Sequence, residues 1–380
     1  MIKVLHVISD ENIGGAGILL TTLLETMDRN RVESAVALPA KSLLRRRVES
    51  LGIKVIPLRY SCDRVSVRSV EEIKKTAECL DVDIIHANAA ICARIAGRLC
   101  RRIVVHTRHC CFSTPQIYRI SLIRRMSGWI NGRLSDRIIA TADAAAKNLY
   151  AMGVKESSIE VIVNGSKPIR QVSEVELQAV REKWNVDRDS FCVGICARLE
   201  EYKGQDVFLR AIKLISDQKN ASNIDFFIVG DGSMRETLER MAIEMGIASR
   251  VRFTGFVADM APIYRLLDLN VNCSRGTETS CLALSEGMSA SLPFLATDFG
   301  GNVAMLGKSE AGFLFPIDDA ETLASLILRI ATDQMLFLRM RNAARARYET
   351  KYTATRMSEH LVAVYEDLIR IRDAGRSLQR

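Results

Sequence analysis

Four charged side chains in the later half of the 380-residue sequence carry the strongest chemical suggestion: Arg198, Lys203, Glu278 and Glu286. Arg198 closes the run Gly194-Ile-Cys-Ala-Arg198, and Lys203 follows in a short loop that ends at Gly204. A strand delivers such an arginine to its carboxyl end, where open α/β sheets bind ligands. Two cations there suit a pyrophosphate, which they can clamp and stabilise as it leaves. For Lys203 alone, the plain alternative is a solvated loop charge. Glu286 sits among Leu282, Leu284 and Met288 in a short apolar helix, an unusual place for a carboxylate. A carboxylate accepts hydrogen bonds from vicinal hydroxyls, as on a ribose. Glu278, eight positions earlier, is placed to approach the sugar of the same ligand. Two solvated surface acids are the alternative.

Glycine turns surround these groups. Gly14-Gly15-Ala16-Gly17 lies between a first strand and a helix expected from near Ile18. The free amides of a helix start can receive a phosphate, although a tight turn needs glycine on steric grounds alone. Val229-Gly230-Asp231-Gly232 forms a second such turn, and Val251–Val257 a strand whose end, at Phe256 and Val257, can read the edge of a base. Asp298-Phe-Gly300-Gly301-Asn302 is a further glycine loop. None has the G-x-G-x-x-G spacing of nicotinamide proteins, and no acid ends the second strand at Leu38-Pro39, which disfavours a dehydrogenase.

The elements that must position these groups alternate between short β-rich runs and helical stretches, the pattern of a parallel sheet wrapped by helices. Strands are expected at 2–8, 34–38, 54–57, 83–86, 103–107, 137–141 and 160–163. A second series is expected at 191–197, 225–229, 251–254, 269–273, 293–296 and 312–315. The break falls near Asn164-Gly165-Ser166-Lys167-Pro168. Two α/β domains follow: 1–168, and 169–357 carrying the charged quartet. Residues 343–372 read as helix, and the segment at about 358–380 is expected to pack back on the first domain.

Net charge is +8, unevenly spread: residues 1–170 hold 27 Lys and Arg against 16 Asp and Glu, the remainder 26 against 29. From Arg101 to Arg137, eight arginines accompany one acid, Asp136. Such a stretch attracts phosphates, lipid head groups or nucleic acid. Within it, 118–134 reads as a basic helix with Ile120, Ile123, Met126 and Ile130 near one face. That helix suits either an anionic membrane surface or ordinary packing on its own domain. The first nine residues read as a buried strand rather than a signal peptide, and no apolar run is long enough to span a bilayer. The ten cysteines, including the vicinal Cys110-Cys111, are expected to be reduced, buried and metal-free. Asp187-Arg-Asp189 precedes a strand, at the sheet end away from a ligand, and is discounted as a metal site.

At this point the sequence resembles the family-four retaining glycosyltransferases, whose GT-B fold has two facing Rossmann-like domains of α/β class. The likeness runs in order through Gly14-Gly15, Thr107-Arg108-His109, Val163-Asn164-Gly165, Arg198 with Lys203, and Gly230-x-Gly232. It continues through Phe253-x-Gly255, Glu278-x7-Glu286, Pro293 and Gly300-Gly301. The resemblance implies a diphosphate clamp at Arg198 and Lys203, a ribose ligand at Glu286 and a donor-sugar neighbour at Glu278. It also implies a sugar-contacting histidine at His109 and a phosphate- or acceptor-facing Gly15. His86 and His106 read as structural. Three departures stand out: Ser291-Leu292 replaces the usual Gly before Pro293, Ala304 replaces an acid, and Ser166-Lys167 follows Asn164-Gly165.

The resemblance implies a metal-independent, cofactor-free hexosyltransferase. Its co-substrate would be a nucleotide sugar, UDP-linked by preference. Its acceptor would be a glycan or lipid-linked molecule of cell-envelope polysaccharide synthesis, on the cytoplasmic side of the plasma membrane. A GT-B sugar-nucleotide epimerase or sugar-phosphate synthase is the alternative enzyme. A basic nucleic-acid-binding protein is the alternative of another class, unsupported by any stacking module or helix-turn-helix.

Overall fold

The computed structural model describes residues 1–11, 14–60, 65–109, 115–218, 223–276, 279 and 281–377. They form two compact units: Met1–Gly165 with the stretch from Ala354 onward, and Ser166–Thr353. The sequence expectation puts these breaks at 168 and 357.

The first unit holds β1 (Ile2–Ile8), β2 (Val32–Pro39), β3 (Lys54–Leu58), β4 (Ile84–Asn88), β5 (Ile103–Arg108), β6 (Arg137–Ala140) and β7 (Ile159–Val161). Their order is β3-β2-β1-β4-β5-β6-β7, with every pairing parallel. The second holds β8 (Phe191–Cys196), β9 (Ile224–Val229), β10 (Val251–Gly255), β11 (Leu269–Asn272), β12 (Phe294–Thr297) and β13 (Gly312–Phe315), ordered β10-β9-β8-β11-β12-β13. Every expected strand is present, its ends within two residues. Parallel strands are covered by helices on both faces, so they read as near-continuous apolar runs such as Ile2-Lys-Val-Leu-His-Val-Ile8. In each sheet the strand order reverses beside the first strand, between β1 and β4 and between β8 and β11. Ligands of open α/β sheets bind at that point, outside the carboxyl ends.

The second unit's core is mainly aliphatic and includes two edge-to-face aromatic pairs, Phe208 against Phe226 at 6.0 Å and Phe191 against Phe337 at 5.4 Å. The first unit buries histidines instead. His86 bridges the hydroxyls of Tyr365 and Thr107 at 2.5 and 2.6 Å, tying the helix Ala354–Ser377 to β4 and β5. His106 Nδ1 lies 3.2 Å from the Ala87 carbonyl. Both fill structural places.

The C-terminal helix differs from expectation. In place of one run over 343–372 the chain forms Gln334–Arg347, a wide turn Tyr348–Tyr352, and Ala354–Ser377. The cause is local hydrogen bonding where the units meet in sequence. The Tyr352 carbonyl accepts from Ser166 N–H at 2.9 Å, and the Tyr348 hydroxyl donates to Ser166 O at 2.9 Å. The first bond withdraws a backbone carbonyl that a continuous helix would use, and the second anchors the turn through a side chain. The cysteines also differ in part, since Cys79 is exposed and Cys100 half-buried. Cys110 and Cys111 lie outside the described residues.

His6, on β1, is fully buried, and among the described residues neither ring nitrogen finds a hydrogen-bond partner. Its ring lies 5.2 Å from that of His86. Burial pushes its pKa down to about 3 from the ordinary 6.5. Between those values the unfolded chain holds the proton and the folded chain does not, so this residue's contribution falls as pH drops through that window. The slope is about 1.4 kcal/mol per pH unit. His6→Leu should flatten the pH dependence of urea stability by that amount between pH ~6 and ~4. Identical slopes in the two proteins would count against the assignment.

Candidate functional site

Arg198 follows β8 by two residues, exposed at its carboxyl end, and its Nη2 donates to the Tyr202 hydroxyl at 2.8 Å. Lys203 Nζ lies 5.3 Å from the centroid of the same Tyr202 ring. Tyr202 therefore gathers both expected cations, one by its hydroxyl and one by its face. The loop is held from below. Gln205 Nε2 donates to Arg198 O at 2.9 Å, and a Cβ on Gly204 (φ +70°) would come within 2.2 Å of Cys273 O. Only glycine lets this loop close on the end of β11.

Glu286 lies in the helix Leu282–Ser289, half-buried. Its Oε2 accepts from the Tyr264 hydroxyl at 2.8 Å. Burial pushes this carboxyl above the ordinary range, and the Tyr264 hydrogen bond works against the shift. Oε1 has no protein partner among the described residues and is left to accept from a ligand. After burial, Glu286 is the largest charge effect raising the Cys196 thiol at the end of β8. Arg198, Lys203 and Glu286 thus share one edge of one sheet. Glu278 lies outside the described residues.

Sequence reasoning passed over three residues here. Tyr202 and Tyr264 look like ordinary aromatics in the chain. Arg275, after β11, pairs with Asp206 through both Nη atoms and with Asp318 through Nε, while its N–H donates to Tyr202 O at 2.8 Å. It locks the β11 loop to the β8 loop, and no local spacing announces it.

The glycine turns divide by role. Gly15 begins the helix Gly15–Thr26, whose cap residue Gly14 makes no side-chain hydrogen bond, and a Cβ at Gly15 meets nothing within 4 Å. Gly17 carries the steric demand, since its Cβ would lie 2.6 Å from Leu44. Gly232 is a packing glycine, where a Cβ would meet Leu199 O at 2.4 Å. Phe256 is 79% exposed and Val257 half-buried, just past the end of β10. Ser291, where the usual glycine is missing, holds φ +64°, a left-handed conformation that glycine takes without strain.

In the first unit His109 is placed just past β5, and its Nε2–H donates to Asn88 Oδ1 at 3.1 Å. Burial lowers its pKa to about 4, so the ring is neutral near pH 7. It lines a cavity of about 40 Å³ with Asn88, Thr107, Asn164, Leu23 and Ile139. The stretch from Arg101 to Arg137 does not act as one patch. Arg102 pairs with Asp81 at 3.0 Å and Arg137 with Asp367 at 3.7 Å, and Asp136 is taken by Arg98 at 2.9 Å. Arg108 donates to Asn148 Oδ1 at 3.0 Å. Among the described residues no His, Cys, Asp and Glu cluster has the make-up of a metal site, and no helix is long and apolar enough to cross a membrane.

Two doubly wound parallel units, one with cations and a carboxylate at its switch point, define the GT-B class. Known proteins carry the identification further. The profile described as Glycosyltransferase Family 4 matches residues 13–168, and that of Glycosyl transferases group 1 matches 190–333. The chain is 27% identical over 317 residues to EpsD of Bacillus subtilis, named a glycosyltransferase, covering 80% of each chain. It is 24% identical over 317 residues, again 80% of each, to the Escherichia coli UDP-Gal:alpha-D-GlcNAc-diphosphoundecaprenol alpha-1,3-galactosyltransferase. Among solved structures, HepE of Anabaena in complex with UDP and glucose superposes with a TM-score of 0.81 at 23% identity, over 96% of this chain and 100% of that one. The chain belongs to the family-four glycosyltransferases of GT-B fold.

Tyr264→Phe removes the one donor to the Glu286 carboxylate among the described residues, leaving that half-buried group without it. Urea unfolding at pH ~8 should show a loss of about 1–3 kcal/mol. Unchanged stability there would mean that the Tyr264 hydroxyl does not serve Glu286.

Proposed function

We propose that the protein is a retaining hexosyltransferase that takes its sugar from a UDP-linked donor held by the second unit. It passes that sugar to a glycan or lipid-linked acceptor in cell-envelope polysaccharide synthesis, on the cytoplasmic face of the plasma membrane. The observation that carries this reading is the pair of cations on Tyr202, together with Glu286, whose Oε1 has no protein partner among the described residues. Uridine is favoured by the UDP bound to HepE, and a lipid-linked acceptor by the diphosphoundecaprenol in the name of the Escherichia coli relative.

In this reading Arg198 and Lys203 take the diphosphate and Glu286 Oε1 accepts from a ribose hydroxyl. The backbone at Phe256 and Val257 reads the base, with Gly232 shaping the neighbouring turn. Glu278 and the neutral ring of His109 address the transferred sugar, and the helix start at Gly15 offers amides to a phosphate or to the acceptor. The bond from the anomeric carbon to the diphosphate breaks as the acceptor oxygen bonds to the same face. The acceptor proton passes to the departing phosphate oxygen. Negative charge accumulates on the diphosphate, so the cations assist most in the transition state. They supply the neutralisation that a metal would otherwise give, and no metal or cofactor is invoked.

Among nucleotide sugars, a UDP-sugar should stabilise the fold by about 2.7 kcal/mol at a hundredfold excess over Kd. Arg198→Ala should lower kcat by roughly 10²–10³ with a smaller change in donor KM. EDTA should leave turnover unchanged. Near-normal kcat in that variant, or loss of activity on chelation, would overturn the clamp.

A further inference from the structure

A surface helix ordinarily buries its apolar stripe and shows its polar one. Ser121–Leu134 does the opposite, with no fully buried residue along its length. Its inward face is Ile123, Ser127, Gly128, Asn131 and Leu134, mostly small or polar and all half-buried. Asn131 Oδ1 accepts from Arg94 Nη2 at 2.9 Å. A Cβ on Gly128 would lie 1.9 Å from Gly153 O, and one on Gly153 2.1 Å from Arg124 O. Backbone contact and hydrogen bonds therefore seat this helix, and apolar burial contributes little.

The apolar residues point the other way. Leu122, Met126, Trp129 and Ile130 are 75%, 55%, 63% and 40% exposed, and Ile117 and Ile120 just before them are exposed too. Leu122, Met126, Trp129 and Arg133 follow one another at four, three and four residues, a single stripe along the helix. The Arg133 guanidinium lies 5.6 Å from the Trp129 ring centroid. Arg119, Arg124 and Arg125 flank the stripe without acid partners among the described residues, and no Asp or Glu occurs from 115 to 135.

An apolar strip with an indole, edged by arginines and free of acids, matches the boundary between anionic head groups and acyl chains. A second copy docked face to face would set arginines against arginines. Nucleic acid would leave the apolar strip unmatched. We infer that the outer face of Ser121–Leu134 docks the protein on an anionic lipid bilayer. Leu122, Met126, Trp129 and Ile130 enter below the head groups, and the arginines pair with lipid phosphates. The inference deepens the membrane-borne acceptor proposed above and rests on that reading for its purpose.

The full chain should co-sediment with vesicles containing phosphatidylglycerol and not with pure phosphatidylcholine. Leu122→Ser combined with Trp129→Ser should weaken vesicle binding at least about 10-fold. Arg124→Gln with Arg125→Gln and Arg133→Gln should weaken it about 10²-fold at low salt, and less at high salt. Both variants alter exposed positions, so circular dichroism and Tm should match the parent. The thermal shift with a UDP-sugar should also be unchanged. Loss of that shift in the parent would sink the donor reading, while vesicle binding would still support this one. Absent binding by the parent, equal binding by the variants, equal affinity for neutral vesicles, or a dimer abolished by the Leu122 and Trp129 changes would each overturn it.

Discussion

An all-parallel sheet sends every strand's carboxyl end to one edge, and that constraint organises the whole molecule. Both faces of such a sheet are covered by helices, so its edge is where chemistry can be displayed. In the second unit the connections after β8 and β11 run to opposite sides of the sheet, and the loops that begin them carry Arg198, Lys203 and Arg275. The gathering of cations on these loops is therefore a product of topology before it is a product of particular residues. Gly204 and Arg275 then set how tightly the loops close, one by lacking a side chain and the other by spanning two acids.

The site separates an exposed cation, Arg198, from a sheltered carboxylate. Arg198 stands in solvent, where an arginine keeps its charge and stays available to an incoming anion. Glu286 is set back, its pKa raised by burial and restrained by Tyr264, which fixes one carboxylate oxygen. Opposite charges at one edge are kept from neutralising each other because different groups of the protein hold each of them. A ligand with an anionic middle and a hydroxylated end satisfies both.

Much of this was legible in the sequence. Continuous apolar runs located all thirteen strands, since burial on both faces leaves a signal that does not depend on tertiary detail. Arg198, Lys203 and Glu286 could be placed because a strand end or a short helix fixes where a side chain emerges. Tyr264 could not, because it stands 22 residues from Glu286 and only folding brings them together. The helix 121–134 is the instructive case. Its periodicity revealed two faces, but not which one the domain would cover, and Gly128 against Gly153 decided that by allowing backbone contact. The interruption at Tyr348–Tyr352 was invisible for a similar reason, lacking any glycine or proline to mark it.

The chain leaves the first unit at Gly165 and returns to it at Ala354. His86 consequently has to wait for Tyr365, on a segment made after the inserted unit, before its ring is bridged. On the ribosome the second unit emerges entire while the first is still missing the helix that covers part of its sheet. Folding order is thereby written into connectivity: the inserted unit can mature first, and the N-terminal one is completed only when the stretch from Ala354 onward has followed it. A fragment stopped near residue 165 is not a smaller version of the first unit but an unfinished one.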